Sequence, residues 1–167
     1  MSGIPPTGAL FSPCRTWRYR LWRLWDDEIP PLNVIGLNPS TADETQDDPT
    51  VRRCLDFARR LGHGGLVMTN LFAYRATDPR ALRAQLDPIG PDNDDELLNA
   101  AQTAGAVIAA WGRHGALRAR GQRVLRLLCR EHGHTVLCLG ENYDGSPKHP
   151  LYLAASTLPV PYRSVGA

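Results

Sequence analysis

The stretch Leu32-Asn33-Val34-Ile35-Gly36-Leu37-Asn38-Pro39-Ser40 decides the fold class. Leu32 to Leu37 is a short, mostly apolar run of the kind that forms a strand buried on both faces. It stops at Pro39, which has no N–H to give to a sheet ladder. A buried strand therefore opens here into a polar loop. The chain beyond repeats the alternation of helix and strand. Asp48 reads as an N-cap with Pro49 at the first helical position, Val51, Cys54, Leu55, Ala58 and Leu61 as the buried stripe, and Gly62 as the stop. A second strand is predicted over 66–71, a short helix from about 79 to 85, a helix capped by Asp92-Asn93-Asp94 and running to 103, a third strand over 105–111, a long helix over 115–130 and a fourth strand over 135–139. This order predicts an α/β domain with a mostly parallel sheet. Thr16 to Trp25 alternates Trp17, Tyr19 and Leu21 with Arg18 and Arg20, the period of a half-buried strand, and is expected as an antiparallel strand at the edge. Trp17, Trp22 and Trp25 would cover that edge. Residues 1–15, rich in proline and glycine, are expected to be a flexible leader, and 16–167 a single domain.

The chain has 167 residues, enough for one core and too few for two catalytic domains. Its net charge of +2 announces no nucleic-acid partner through bulk electrostatics, although 18 of its 19 basic residues are arginine. No apolar run approaches the roughly 20 residues of a membrane-spanning helix, and the start lacks the pattern of a secretory signal, so a cytoplasmic protein is expected. Cysteines 14, 54, 129 and 138 have neither the C-x-x-C spacing nor the histidine neighbours of a zinc site and are expected as four reduced thiols, mostly buried.

Ligands of parallel sheets settle outside the carboxyl ends of the strands. The polar residues predicted there are the candidates: Asn38 and Ser40 after the first parallel strand, Asn70 with Phe72, Tyr74 and Arg75 after the second, Trp111 to His114 after the third, and the segment 140–152 with Lys148, His149, Leu151 and Tyr152. An asparagine presents a donor beside an acceptor and suits one edge of a nucleobase, while an aromatic ring suits its face. The bland alternative for each is a strand-ending turn or a surface histidine. Asp43, Asp47 and Asp48 were the one conceivable metal cluster, but the glycine of a calcium loop is missing, and no metal or cofactor is expected. No G-x-S-x-G elbow and no P-loop occur, which disfavours a serine hydrolase and a P-loop NTPase. The arginines at 113, 118, 120, 123, 126 and 130 are expected on the outer face of their helix.

In chain order, Gly36-Leu37-Asn38-Pro39-Ser40, Asn70-Leu71-Phe72-Ala73-Tyr74-Arg75, Ala109-Ala110-Trp111-Gly112 and His149-Pro150-Leu151 resemble the motif series of the uracil-DNA glycosylase superfamily. The first is closest to the mismatch-specific and thymine-DNA glycosylase type, which reads Gly-Ile-Asn-Pro-Gly. From Arg18 to Tyr162 the chain also resembles an uncharacterised bacterial family known only as a domain of unknown function, through motifs such as Asn-Pro-Ser-Thr-Ala-Asp. The glycosylase resemblance implies a three-layer α/β/α fold around four parallel strands. It further implies that Asn38 positions the attacking water, His149 hydrogen-bonds the departing base, Asn70 reads the base edge, and Phe72 or Tyr74 stacks on it with Ser40 nearby. Leu151 and Tyr152 would enter the helix as a wedge, and Arg75 and Lys148 would touch the nucleic acid. Ser40 departs from the motif glycine and Leu151 from the serine usual after His-Pro, so a modified or bulky base, or a nucleotide, stands beside uracil as a substrate. The expected function is hydrolysis of an N-glycosidic bond, in DNA rather than RNA. The alternatives are a binding module without chemistry, or an unrelated small-substrate hydrolase using Asp43 and His149.

Overall fold

In the computed structural model, which describes residues 3–162, strand β3 (Leu32–Gly36) lies fourth in a seven-stranded sheet. The other strands are β1 (Thr7–Phe11), β2 (Arg18–Leu24), β4 (Gly65–Asn70), β5 (Ala106–Ala109), β6 (Val136–Cys138) and β7 (Val160–Pro161). The spatial order is β1-β2-β4-β3-β5-β6-β7. Strands β4, β3, β5 and β6 pair parallel, while β1, β2 and β7 join antiparallel. The helices are α1 (Pro49–Arg60), α2 (Arg80–Ala84), α3 (Asn93–Thr103) and α4 (Arg120–Leu125). None is long and apolar enough to cross a membrane among the described residues.

Alternation along the buried strands divides the core in two. Leu32 and Val34 of β3 and Ile108 of β5 pack with Cys54, Leu55 and Ala58 of α1. Ile35, Val107 and Ala109 point the other way, toward Leu97 of α3 and Val124 and Leu125 of α4. Helix α1 forms as its punctuation predicts: the Asp48 carboxylate accepts from Val51 N at 2.8 Å and proline opens the first turn.

The amino-terminal expectations need correction. Residues 7–11 are a strand, and β1, not the strand after residue 16, forms that edge of the sheet. Gly8 makes this pairing possible. It faces Trp22 across the ladder, and a β-carbon there would lie 2.3 Å from the indole. Trp22 in turn donates to Pro5 O, so the tryptophan fastens the proline-rich segment to the sheet. Residues 1–2 of the expected leader and 163–167 of the expected domain lie outside the described residues.

The long helix expected over 115–130 is also shorter. Leu117 is extended, Arg118 and Ala119 take φ of 54° and 52°, and regular helix starts only at Arg120 before widening into a π-helical turn, Arg126–Glu131. The chain has to round the Trp111 indole, against which Gly115 and Gly121 pack closely. Arg118 secures the bend by donating to the carbonyls of Gln85 and Leu86. The arginines do not all face out: Arg120 is buried and ion-paired with Asp94 at 2.5 Å. Of the thiols, all free, only Cys54 and Cys138 are buried. Cys14 is exposed, and the hydroxyls of Ser12 and Thr16 hold it down to about 7.

Candidate functional site

A cleft of about 940 Å³ lies at the carboxyl ends of β3 and β5, where the chain crosses from one side of the parallel set to the other. Asn38, Ser40, Asn70, His149, Leu151 and Tyr152 all line it, although the sequence separates the first from the last by more than a hundred residues. Trp111 to His114, which follow β5, line it too.

Asn38 follows β3 by two residues. Its Nδ2 donates to Pro39 O at 3.0 Å and to Ala76 O at 2.7 Å. With the nitrogen committed to two carbonyls, Oδ1 is the atom left to engage a ligand or water, as an acceptor. Asn70 ends β4, opposite Gly36 in the parallel register, and shares its face with Leu66 and Met68. It is buried, and its Nδ2 has no hydrogen-bond partner, an arrangement that buried amides rarely keep without a reason. The strand end beneath it is fixed from behind. Asn93 Nδ2 donates to the Asn70 and Leu71 carbonyls, and Arg120 Nε donates to Leu71 O.

His149 caps a single 3₁₀ turn, Pro150–Tyr152, with its Nδ1 accepting from Leu151 N at 3.2 Å. That bond leaves the proton of the neutral ring on Nε2. Burial lowers the imidazole's affinity for a second proton below its ordinary value, an effect the nearby Asp48 carboxylate opposes. His149 is therefore a neutral Nε2–H donor at neutral pH. The turn is carried by α1, because the Arg53 guanidinium donates to both Pro150 O and Leu153 O. Next to the imidazole, at 5.6 Å between ring centroids, stands Tyr152, which is 86% exposed, while Tyr143 is fully exposed at another part of the rim.

Four expected contacts do not reach the cleft. Phe72 is fully buried among Leu82, Leu97 and Val124, where no ligand ring can stack on it. Tyr74 packs against the same cluster and bridges to Trp17. Arg75 lies over the Phe11 ring, 4.8 Å from its centroid, and Lys148 lays its aliphatic stem along Gly140. Phe72 and Tyr74 share a cause: just after Asn70 these alternate residues point into the core cluster built on α3 and α4. Asp43 is likewise removed from the cleft lining. Its carboxylate accepts from the backbone amides of Thr45 and Gln46, which hold it below the usual carboxylate range.

The sequence reading missed three contributors. Arg18 lines the cleft while 98% buried. Strand alternation had assigned it to the solvent side, and only the position of β2 inside the sheet reveals otherwise. Burial pushes its guanidinium down to about 10, which leaves it charged at neutral pH. Asp48, read as a helix cap and dismissed as a metal ligand, also lines the cleft, and Arg53 gave no signal because its partners lie 97 and 100 residues away. Among the described residues no three His, Cys, Asp or Glu side chains cluster so as to hold a metal ion.

No curated protein and no solved structure matches this chain. One family model does, over residues 18–151, from the strand that carries Arg18 through the turn that carries His149. On that match the chain belongs to the family described as "Protein of unknown function (DUF1643)".

Proposed function

We propose that this protein recognises a nucleobase and hydrolyses an N-glycosidic bond, with DNA as the favoured polymer, on a three-layer α/β/α domain resembling the uracil-DNA glycosylase superfamily. The observation that carries this reading is the convergence of Asn38, Asn70 and His149 on one cleft at the carboxyl ends of parallel strands.

The chemistry follows from what each group has left to offer. Glycosidic cleavage passes through an oxocarbenium-like sugar, so the site must hold a water and stabilise negative charge on the departing base. The C1′–N bond breaks and its electron pair leaves with the base. Water oxygen bonds to C1′ and releases a proton to solvent. Asn38 Oδ1 accepts from that water and orients it; an amide is no general base, so the reaction is slow or favours bases that already leave well. The Nε2–H of neutral His149 donates to the base as its charge develops. Asn70 Nδ2, without a partner in the protein, donates to a base oxygen. Leu151 and the exposed Tyr152 stand at the rim, where an apolar wedge offsets part of the few kcal/mol that base extrusion costs.

The test is release of free base from duplex and single-stranded oligonucleotides carrying uracil, oxidised, alkylated or bulky bases, followed by chromatography. The expected result is release of at least one base, abolished in Asn38→Ala. No release from any substrate by wild-type protein would overturn the catalytic reading. A binding module is the second reading, favoured because Asp48, the carboxylate whose charge is felt at His149, is already engaged as a helix cap. It predicts wild-type affinity without turnover and reduced affinity in Asn70→Ala.

A further inference from the structure

Among the described residues three arginines are buried, and two of them have a carboxylate. Arg120 pairs with Asp94 at 2.5 Å, and Arg23 pairs with Asp47 at 2.9 Å. Arg18 makes no ion pair among the described residues. Its Nη1 donates to Ala42 O at 2.7 Å, its Nε has no partner, and it is the one of the three that lines the cleft. Asp48 and Asp43 favour the charged guanidinium and Arg75 and Arg23 oppose it, but none of the carboxylates is within ion-pair distance. A buried cation without a counter-charge is among the least favourable arrangements a core can hold. Where such a cation faces a cleft, a ligand is the natural counter-charge.

We propose that Arg18 is a ligand-recognising residue of the cleft and that the ligand places an oxygen of full or partial negative charge against its guanidinium. The rest of the cleft floor agrees, since Asn70 Nδ2 is a second buried donor without a protein acceptor. Two orphan donors on residues lining one cleft call for a group rich in acceptors. In a nucleotide ligand that oxygen belongs either to a phosphate, which is fully charged, or to the base itself, whose carbonyl oxygen is a polarised acceptor. The proposal rests on the cleft being a ligand site, as in the reading above, but not on bond cleavage.

The experiment is therefore a binding experiment. Thermal melting and calorimetry are run on wild-type, Arg18→Met and Arg18→Lys proteins with inorganic phosphate, uridine 5′-monophosphate, uridine and uracil. The wild type is expected to be stabilised by at least one of them, with affinity reduced tenfold or more in Arg18→Met and partly restored in Arg18→Lys. Without ligand, Arg18→Met is expected to melt no lower than wild type, because removing an unpaired buried charge compensates for the lost bond to Ala42 O. A response to phosphate and the monophosphate, but not to uridine, assigns the oxygen to a phosphate. A response to uracil and uridine, but not to phosphate, assigns it to the base. The proposal is overturned if none of the four stabilises the wild type, or if Arg18→Met binds as tightly as wild type. Loss of base release with this binding intact would defeat the catalytic reading alone.

Discussion

The side-chain amide of Asn70 occupies the space that a β-carbon on Gly36 would need. A carbon added at position 36 would stand 2.8 Å from Asn70 Oδ1, and the two residues are direct partners across the β3/β4 ladder. Gly36 is thus the reason the asparagine can lie flat at the head of the cleft.

Gly36→Ala is expected to fold, to cost about 1–2 kcal/mol through overpacking, and to weaken ligand binding at least tenfold by displacing the Asn70 amide. The pair is coupled, so the same change in an Asn70→Ala background should cost distinctly less stability. Denaturant melts of the four proteins in this cycle check it. Additive losses would mean that the contact does not govern the amide's position.

A second expectation concerns pH. His149 has a folded-state pKa below its unfolded value of about 6.5, because burial disfavours the charged ring. The unfolded chain therefore binds its proton first as pH falls. Stability from this group is complete above the unfolded pKa and declines as pH drops from there toward the folded pKa. Protonation also puts a hydrogen on Nδ1, against the Leu151 N–H that it accepts. His149→Gln should flatten this part of the stability profile. Asp48→Asn keeps a capping side chain but removes the charge that favours the imidazolium, so the His149 titration followed by NMR should move further down. An unchanged titration would sink the electrostatic link between the two.

Much of this site could be read from local signals. Pro39 after an apolar run, and Asp48-Pro49 before an amphipathic one, are short-range punctuation, and β3 and α1 form where that punctuation puts them. What escaped depends on partners far away in the chain. Residues 7–11 look like leader by composition and become a strand only because Trp22 and β2 receive them. Phe72 looks available beside Asn70 and is swallowed by residues of α3 and α4. Above all, the alternation of Arg18 and Arg20 with Trp17, Tyr19 and Leu21 pointed Arg18 outward, whereas β2 lies between β1 and β4. Arg18 is buried all the same, as is Arg23 on the inward phase, and each meets backbone carbonyls of the loop that follows β3.

Asp94 supports the cleft without touching it. It pairs with the buried Arg120, whose Nε holds Leu71 O just behind Asn70. Asp94→Ala leaves that guanidinium without its counter-charge. The expected loss is about 3 kcal/mol, moderated because the carboxylate itself is partly exposed. Asp94→Ala combined with Arg120→Met should recover part of it, since an apolar side chain tolerates the site that an unpaired cation does not. Chemical denaturation measures both, and a loss below about 1 kcal/mol for the single change would show the pair to be a surface contact in energetic terms.

The last prediction isolates the means by which α1 holds the His149 turn. Arg53 spans the turn by donating to Pro150 O and Leu153 O while its guanidinium lies 5.4 Å from the Phe57 ring centroid. Only a planar fork reaches both carbonyls, so Arg53→Lys should fail nearly as badly as Arg53→Met, although it keeps the charge. Each should cost about 1–2 kcal/mol, the worth of two half-buried hydrogen bonds. Global stability cannot distinguish a positioning role from a structural one, but two local readouts can. With the turn released, the Leu151 amide loses its bond to His149 Nδ1 and should exchange faster, and the imidazole, less buried, should titrate closer to its ordinary value. Unaltered exchange at Leu151 together with an unaltered His149 titration would show that the turn holds itself and that Arg53 merely packs beside it.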